Sequence, residues 1–122
     1  MMSITNKKVT VIGLGKSGVA VAKLLVKNGC RVKVTETDSN PALQSRAEEL
    51  RKLGIIVELG EHRESFYTDA ELVVPCPGVK PNSLPIQWAK QRKIPILSET
   101  EVAYRSTPCP IVELLAPVEK QL

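Results

Sequence analysis

In this chain of 122 residues, 43% are hydrophobic, 25% are charged, and the formal net charge is +4. That length fits one domain with its own core, and the scattered charges and 3% aromatic residues do not favour nucleic-acid binding. Neither a signal peptide nor a run of membrane-spanning length is visible, so we expect no membrane partner and a cytoplasmic location.

The first predicted unit is a strand, a glycine-rich turn and a helix. An apolar run at residues 9–12 leads into Gly13, Gly15 and Gly18, and an amphipathic stretch follows at residues 19–26. A G-x-G-x-x-G pattern is informative only in this strand–turn–helix context. Gly13 would permit a tight turn, Gly15 would let a ligand approach the backbone, and Gly18 would let the helix lie close to the strand.

An anion is the expected ligand of this turn. The start of a helix leaves N–H groups without acceptors at the positive end of the helix dipole, which favours a phosphate or diphosphate. Lys16 and Ser17 add a positive charge and a hydroxyl there. A turn that merely closes the unit is the weaker alternative. An ATP-binding P-loop is excluded because Thr10 stands where that motif requires glycine.

The rest of the chain alternates short apolar runs with helical patterns. Alternating strands and helices at this spacing predict parallel crossovers and a Rossmann-like, doubly wound α/β sheet of five or six strands in a single domain. Ligands of such sheets bind beyond the carboxyl ends of the strands. We predict strands at residues 31–36, 55–59, 72–74, 94–97 and 111–115, and helices at residues 40–53, 84–92 and 98–104.

Polar residues follow the second predicted strand. The Glu36 carboxylate could accept a hydrogen bond from a ribose hydroxyl or from an imide N–H. A solvated acid at a strand end is the alternative interpretation. Thr37 and Asp38 could offer further polar contacts or simply begin the next turn.

The fourth predicted strand ends abruptly at Cys76, Pro77 and Gly78. Proline cannot extend the strand ladder, and glycine exposes backbone N–H groups to a ligand. The three cysteines are widely spaced, so reduced thiols and no metal site are expected, with Cys76 a small buried residue rather than a nucleophile. His62, the single histidine, has no partner at metal-ligand spacing, which favours a surface or loop-anchoring role.

Four segments in this order resemble one protein family. They are the glycine turn on the first strand, Glu36-Thr37, Cys76-Pro77-Gly78 and the segment SETEVAY at residues 98–104. The chain resembles the N-terminal domain of the Mur ligases of bacterial cell-wall synthesis, and within them the MurD branch. The resemblance extends from about residue 7 to residue 112.

The resemblance implies that residues 1–112 form a Rossmann-like domain that binds the UDP part of UDP-N-acetylmuramoyl-L-alanine. Lys16 and Ser17 would meet the diphosphate, Glu36 and Thr37 the uracil, and Gly78 the sugar side. The family commonly has serine where this chain has Cys76, and can carry an arginine near Asp38. The binding residues implied are Gly13, Leu14, Gly15, Lys16, Ser17, Gly18, Glu36, Thr37, Asp38, Cys76, Pro77 and Gly78.

The family's reaction, ATP-dependent addition of D-glutamate to the muramyl substrate, needs further domains. An ATP-binding loop would follow residue 112, but residues 113–122 form an atypical tail without it. The resemblance therefore implies no cofactor within these residues, with ATP, Mg²⁺ and D-glutamate used only by the full-length enzymes, and we expect this chain alone to be inactive. Two alternatives remain: an NAD(H)-binding module of a regulatory or dehydrogenase type, and an interaction domain with a vestigial pocket.

Overall fold

Among the described residues, four parallel strands form the sheet, namely β1 (Lys8–Ile12), β2 (Arg31–Glu36), β3 (Ile56–Leu59) and β4 (Leu72–Pro75). Their order in the sheet is β3-β2-β1-β4. The structure is a computed structural model and describes residues 4–106. In this order the end of β1 lies between the ends of β2 and β4, and the end of β3 lies beside that of β2.

Helices connect the strands as the alternating pattern predicts. A short 3₁₀ helix, Glu64–Tyr67, lies between β3 and β4. No helix within residues 4–106 combines the length and the apolar character needed to cross a membrane. The α-helices are α1 (Lys16–Lys27), α2 (Pro41–Arg51), α3 (Leu84–Gln91) and α4 (Glu99–Ser106).

Helices pack on both faces of the sheet, and alternate residues of each strand point to opposite faces. On β1, Val11 packs in a core that includes residues from α1, α2 and α4, whereas Ile12 packs in a second core with Ile86 and Ala89 of α3. Tyr67 is fully buried in this second core and stacks at a tilt on Trp88, with 5.5 Å between the ring centroids. The Rossmann-like α/β fold is therefore confirmed.

The strand count differs from the prediction. Residues 94–97 form a single parallel bridge, Ile96 to Val73, instead of a full fifth strand. The Val73 N–H donates to the Pro95 carbonyl at 3.0 Å and the Leu97 N–H donates to the Val73 carbonyl at 3.0 Å. Pro95 has no N–H to donate, which limits further pairing. The predicted sixth strand, residues 111–115, lies outside the described residues.

Candidate functional site

A cleft of about 590 Å³ opens at the carboxyl edge of the sheet. A second cavity of about 400 Å³ lies at the amino edge and contains none of the predicted site residues. Because ligands of parallel α/β sheets bind at the carboxyl edge, the first cleft is the candidate site. Nine predicted residues line it, namely Gly13, Leu14, Gly15, Ser17, Glu36, Thr37, Cys76, Pro77 and Gly78, together with Ile12, His62, Val79, Lys80, Ser83, Leu84 and Pro85.

Three predicted residues do not line this cleft. The side chains of Lys16 and Asp38 are exposed outside it. Gly18 is buried beneath the turn, where a Cβ atom would lie 2.7 Å from the Gly13 carbonyl oxygen and 2.9 Å from Cys76 Sγ. Gly18 therefore serves close packing of α1, whereas the Lys16 side chain is not part of the cleft lining.

The glycine turn combines one strained position with one open position. Gly13 has a φ of +104°, a conformation that side chains rarely adopt, so the turn into the cleft requires glycine there. Gly15 has an ordinary φ of −76°, and no atom lies within 4 Å of the place a Cβ would occupy. At Gly15 the absence of a side chain leaves the backbone open to the cleft.

Helix α1 begins without a cap of its own. Gly15 occupies the N-cap position, no side chain caps the helix, and its first turn contains no acid. By contrast, Asn40 Oδ1 accepts from the Leu43 N–H at 2.9 Å at the start of α2. The N–H groups of the first turn of α1 have no intrahelical acceptor and lie at the positive end of the helix dipole. This helix start is suited to an anion.

The Glu36 carboxylate ties the end of β2 to the glycine turn. Its Oε1 accepts from the Leu14 N–H at 3.0 Å, and its Oε2 accepts from the Asp38 N–H at 3.0 Å. The Thr37 hydroxyl also contacts Oε2, at 3.4 Å. In the part of the chain that the structure describes, Oε1 accepts only the Leu14 N–H and can accept a second hydrogen bond, so Glu36 retains acceptor capacity for a ligand. The Leu14 N–H, in contrast, already donates to Glu36 and is not free to bind a ligand.

Arg46 of α2 holds the same turn from the other side. Its Nη1 donates to the Leu14 carbonyl at 3.1 Å, so both backbone groups of Leu14 are fixed by long side chains. Sequence reasoning missed Arg46, because a helical arginine 32 positions away carries no local signal.

His62 lines the cleft beyond Glu36. Its Nδ1 lies 2.7 Å from the hydroxyl of Thr35, a fully buried residue of β2. Burial lowers the pKa of His62, and the nearby Glu36 charge opposes that shift only in part, so the imidazole is neutral at pH 7. The sequence favours a surface or loop-anchoring role for His62. The structure shows the loop anchor and also places the ring at the cleft.

The Cys76 thiol lies against the glycine turn. Its Sγ donates to the Gly13 carbonyl at 3.5 Å. Burial, followed by the charge of Glu99, raises the pKa of Cys76 to about 12, so the thiol stays protonated at neutral pH. Cys76 is thus a packing residue that supports the turn and is unsuited to nucleophilic attack.

Comparison with known proteins shows the family of this chain. A family model described as "Mur ligase MurD-like, N-terminal domain" matches residues 7–98. The chain belongs to this family of MurD-like N-terminal domains. The matched residues include the glycine turn, the end of β2 and the turn after β4.

Curated relatives support the assignment of this MurD-like domain. A UDP-N-acetylmuramoylalanine–D-glutamate ligase from Geotalea uraniireducens is 40% identical over 93% of the chain and 25% of the relative's length. The ligase of the same name from Desulfosudis oleivorans is 38% identical over 87% of the chain and 23% of its own length. The chain therefore spans about a quarter of the length of these relatives.

A solved structure shares the fold of the MurD-like domain. The UDP-N-acetylmuramate–alanine ligase MurC from Thermotoga maritima superimposes with a TM-score of 0.69 and 26% sequence identity. The match covers 80% of this chain and 22% of the MurC chain.

Proposed function

We propose that this MurD-like domain binds the UDP moiety of UDP-N-acetylmuramoyl-L-alanine. The observation that carries the proposal is the uncapped start of α1, reached through the open backbone at Gly15 and lying beside the Glu36 carboxylate. A helix start of this kind favours a diphosphate, and a carboxylate with spare acceptor capacity suits an N–H or hydroxyl of a nucleoside.

The positions of the lining residues indicate which part of the ligand each of them would contact. The diphosphate would accept from backbone N–H groups at the start of α1 and from the Ser17 hydroxyl. Glu36 and Thr37, at the neighbouring strand end, would hold the base, and Gly78 would meet the sugar from the β4 side. Leu14 would act as a support, since its N–H donates to Glu36.

The proposal extends to the reaction of the longer relatives. Their printed name is that of a ligase joining UDP-N-acetylmuramoylalanine and D-glutamate. We infer that this domain presents the muramyl substrate in such a cytoplasmic, ATP-dependent ligase of peptidoglycan synthesis. ATP, Mg²⁺ and D-glutamate would be bound outside the cleft described above, because the glycine turn is not a P-loop.

Calorimetric titration of the chain with UDP, UDP-N-acetylmuramoyl-L-alanine and NADH tests the proposal. We expect both uridine ligands to bind and NADH to bind more weakly than either. Tighter binding of NADH would favour a dehydrogenase-type module. Failure of the folded chain to bind any of the three would favour an interaction domain with a vestigial pocket.

A further inference from the structure

The two ring nitrogens of His62 have different environments, since only one of them hydrogen-bonds to a protein group among the residues that the structure describes. Nδ1 is paired with the Thr35 hydroxyl at 2.7 Å. Within residues 4–106, Nε2 makes no hydrogen bond to a protein group, although the ring lines the cleft. Nε2 is therefore accessible to a ligand that enters the cleft.

The contacts of Thr35 indicate which nitrogen carries the proton. Its hydroxyl lies 2.7 Å from His62 Nδ1 and 3.4 Å from the Glu61 carbonyl oxygen. The Glu61 carbonyl, at 3.4 Å, is the weaker of the two acceptors available to the hydroxyl proton, so that proton is assigned to the shorter contact with Nδ1. With the Thr35 hydroxyl donating to Nδ1, the neutral ring carries its proton on Nε2 and can donate it to a ligand.

The strand order places His62 at one end of the cleft. The turn after β1 lies centrally, Glu36 follows the adjacent β2, and His62 follows β3 beyond it. A nucleoside diphosphate with its phosphates at the start of α1 and its nucleoside beside Glu36 would direct its base toward the β3 side. His62 and Glu36 would then both reach the base.

We propose that His62 recognises uracil directly, with Nε2–H donating to a ring carbonyl while Glu36 accepts from the imide N–H. The uracil edge presents an N–H donor between two carbonyl acceptors, and a carboxylate beside an imidazole N–H complements that pattern. This assignment rests on the proposed UDP-binding function and adds to it a specificity-determining residue.

The single histidine permits a test without mutation. Titration of the chain is followed by the unique His62 Hε1–Cε1 signal in a ¹H–¹³C NMR spectrum, with UDP and with inorganic pyrophosphate. We expect UDP to shift the signal in a saturable manner and pyrophosphate to leave it nearly unchanged. A His62 signal that stays in place while calorimetry shows UDP binding would overturn the assignment and leave the proposed function standing.

Two variants separate direct recognition from loop anchoring. In His62→Asn the side-chain amide can replace Nδ1 toward Thr35 but has nothing in place of Nε2, whereas His62→Gln reaches the Nε2 position. We expect His62→Asn to bind UDP about tenfold more weakly, the equivalent of one hydrogen bond, with pyrophosphate affinity unchanged. His62→Gln should recover part of the loss.

The UDP affinities of the variants and of the wild-type chain separate the two proposals. Wild-type UDP affinity in His62→Asn would show that Nε2 has no role in binding and would overturn this inference alone. A folded wild-type chain that does not bind UDP would overturn the proposed function and this inference together. Melting temperatures of both variants confirm that the comparison is made between folded proteins.

Discussion

The Glu36 carboxylate accepts the backbone N–H of Leu14 at 3.0 Å, joining the end of β2 to the glycine turn across 22 positions of sequence. The same carboxylate is the proposed acceptor for the base of the ligand. Support of the turn and recognition of the nucleotide are thus combined in one side chain, and mutation should affect both.

Replacement of Glu36 by alanine should lower stability and abolish measurable UDP binding. The loss of hydrogen bonds at a half-buried carboxylate should reduce the free energy of unfolding by about 1 kcal/mol. Urea denaturation and calorimetry measure the two effects. Glu49→Ala is the matched control, since Glu49 is an exposed acid paired with Lys23 on the surface and should change neither quantity appreciably. Full UDP affinity in Glu36→Ala would assign the base to another part of the cleft.

Gly15→Val should abolish UDP binding while leaving the fold nearly intact. The backbone at Gly15 has an ordinary φ of −76° and open space around the missing Cβ, so a branched side chain should change the free energy of unfolding by less than about 1 kcal/mol. It would, however, occupy the approach to the start of α1. Calorimetry measures the UDP affinity and thermal denaturation measures the stability. Retained UDP affinity in the folded variant would place the phosphates elsewhere.

Gly18→Ala should lower the stability of the fold while largely preserving UDP binding. A Cβ there would lie 2.7 Å from the Gly13 carbonyl oxygen, and relieving that overlap should cost about 2 kcal/mol of folding stability. Because Gly18 does not line the cleft, UDP affinity should fall much less than in Gly15→Val. Measuring the stability and UDP affinity of the two glycine variants side by side distinguishes an open glycine from a packed one. An undiminished unfolding free energy in Gly18→Ala would contradict the packing described for the turn.

Stability should decrease as the pH falls below about 6.5, the ordinary value for histidine. The pKa of His62 is lowered in the folded state, so the unfolded chain binds the proton more readily in this range. The contribution of neutral His62 to the free energy of unfolding is therefore fully present above pH 6.5. It is lost as the pH falls toward the lowered pKa of His62 in the folded protein. Urea denaturation between pH 5 and pH 7.5 measures the change, and His62→Asn should flatten it. An unchanged pH dependence in that variant would assign the effect to carboxylates.

The 122-residue polypeptide by itself should release no phosphate from ATP. Phosphoryl transfer requires a phosphate cradle, a lysine and Mg²⁺ acting together, and the sequence contains no P-loop. The assay contains UDP-N-acetylmuramoyl-L-alanine, D-glutamate, ATP and Mg²⁺, with a reaction lacking protein as the control. Phosphate release above that control would show that an ATP site exists within these residues.

Much of the fold followed from local sequence patterns. Strand β2, helix α2 and the glycine turn each depend on neighbours in sequence, and each is found where it was predicted. Such signals are local because strand alternation, helix capping and turn conformation involve residues only a few positions apart. Residues 94–97 were harder to predict, since an apolar run does not specify how many hydrogen bonds it forms with its neighbour.

The composition of the site depended on tertiary structure. Sequence alone predicted the glycine turn and the polar strand ends, but not that Leu14 would be held by both Glu36 and Arg46. Nor could it show that Lys16 is outside the cleft while His62 borders it against Thr35. These relationships join residues brought together by the strand order β3-β2-β1-β4 and by helix packing. Contacts between residues 22 to 32 positions apart produce no periodic pattern in the sequence. They are therefore determined only when the helices and strands pack together.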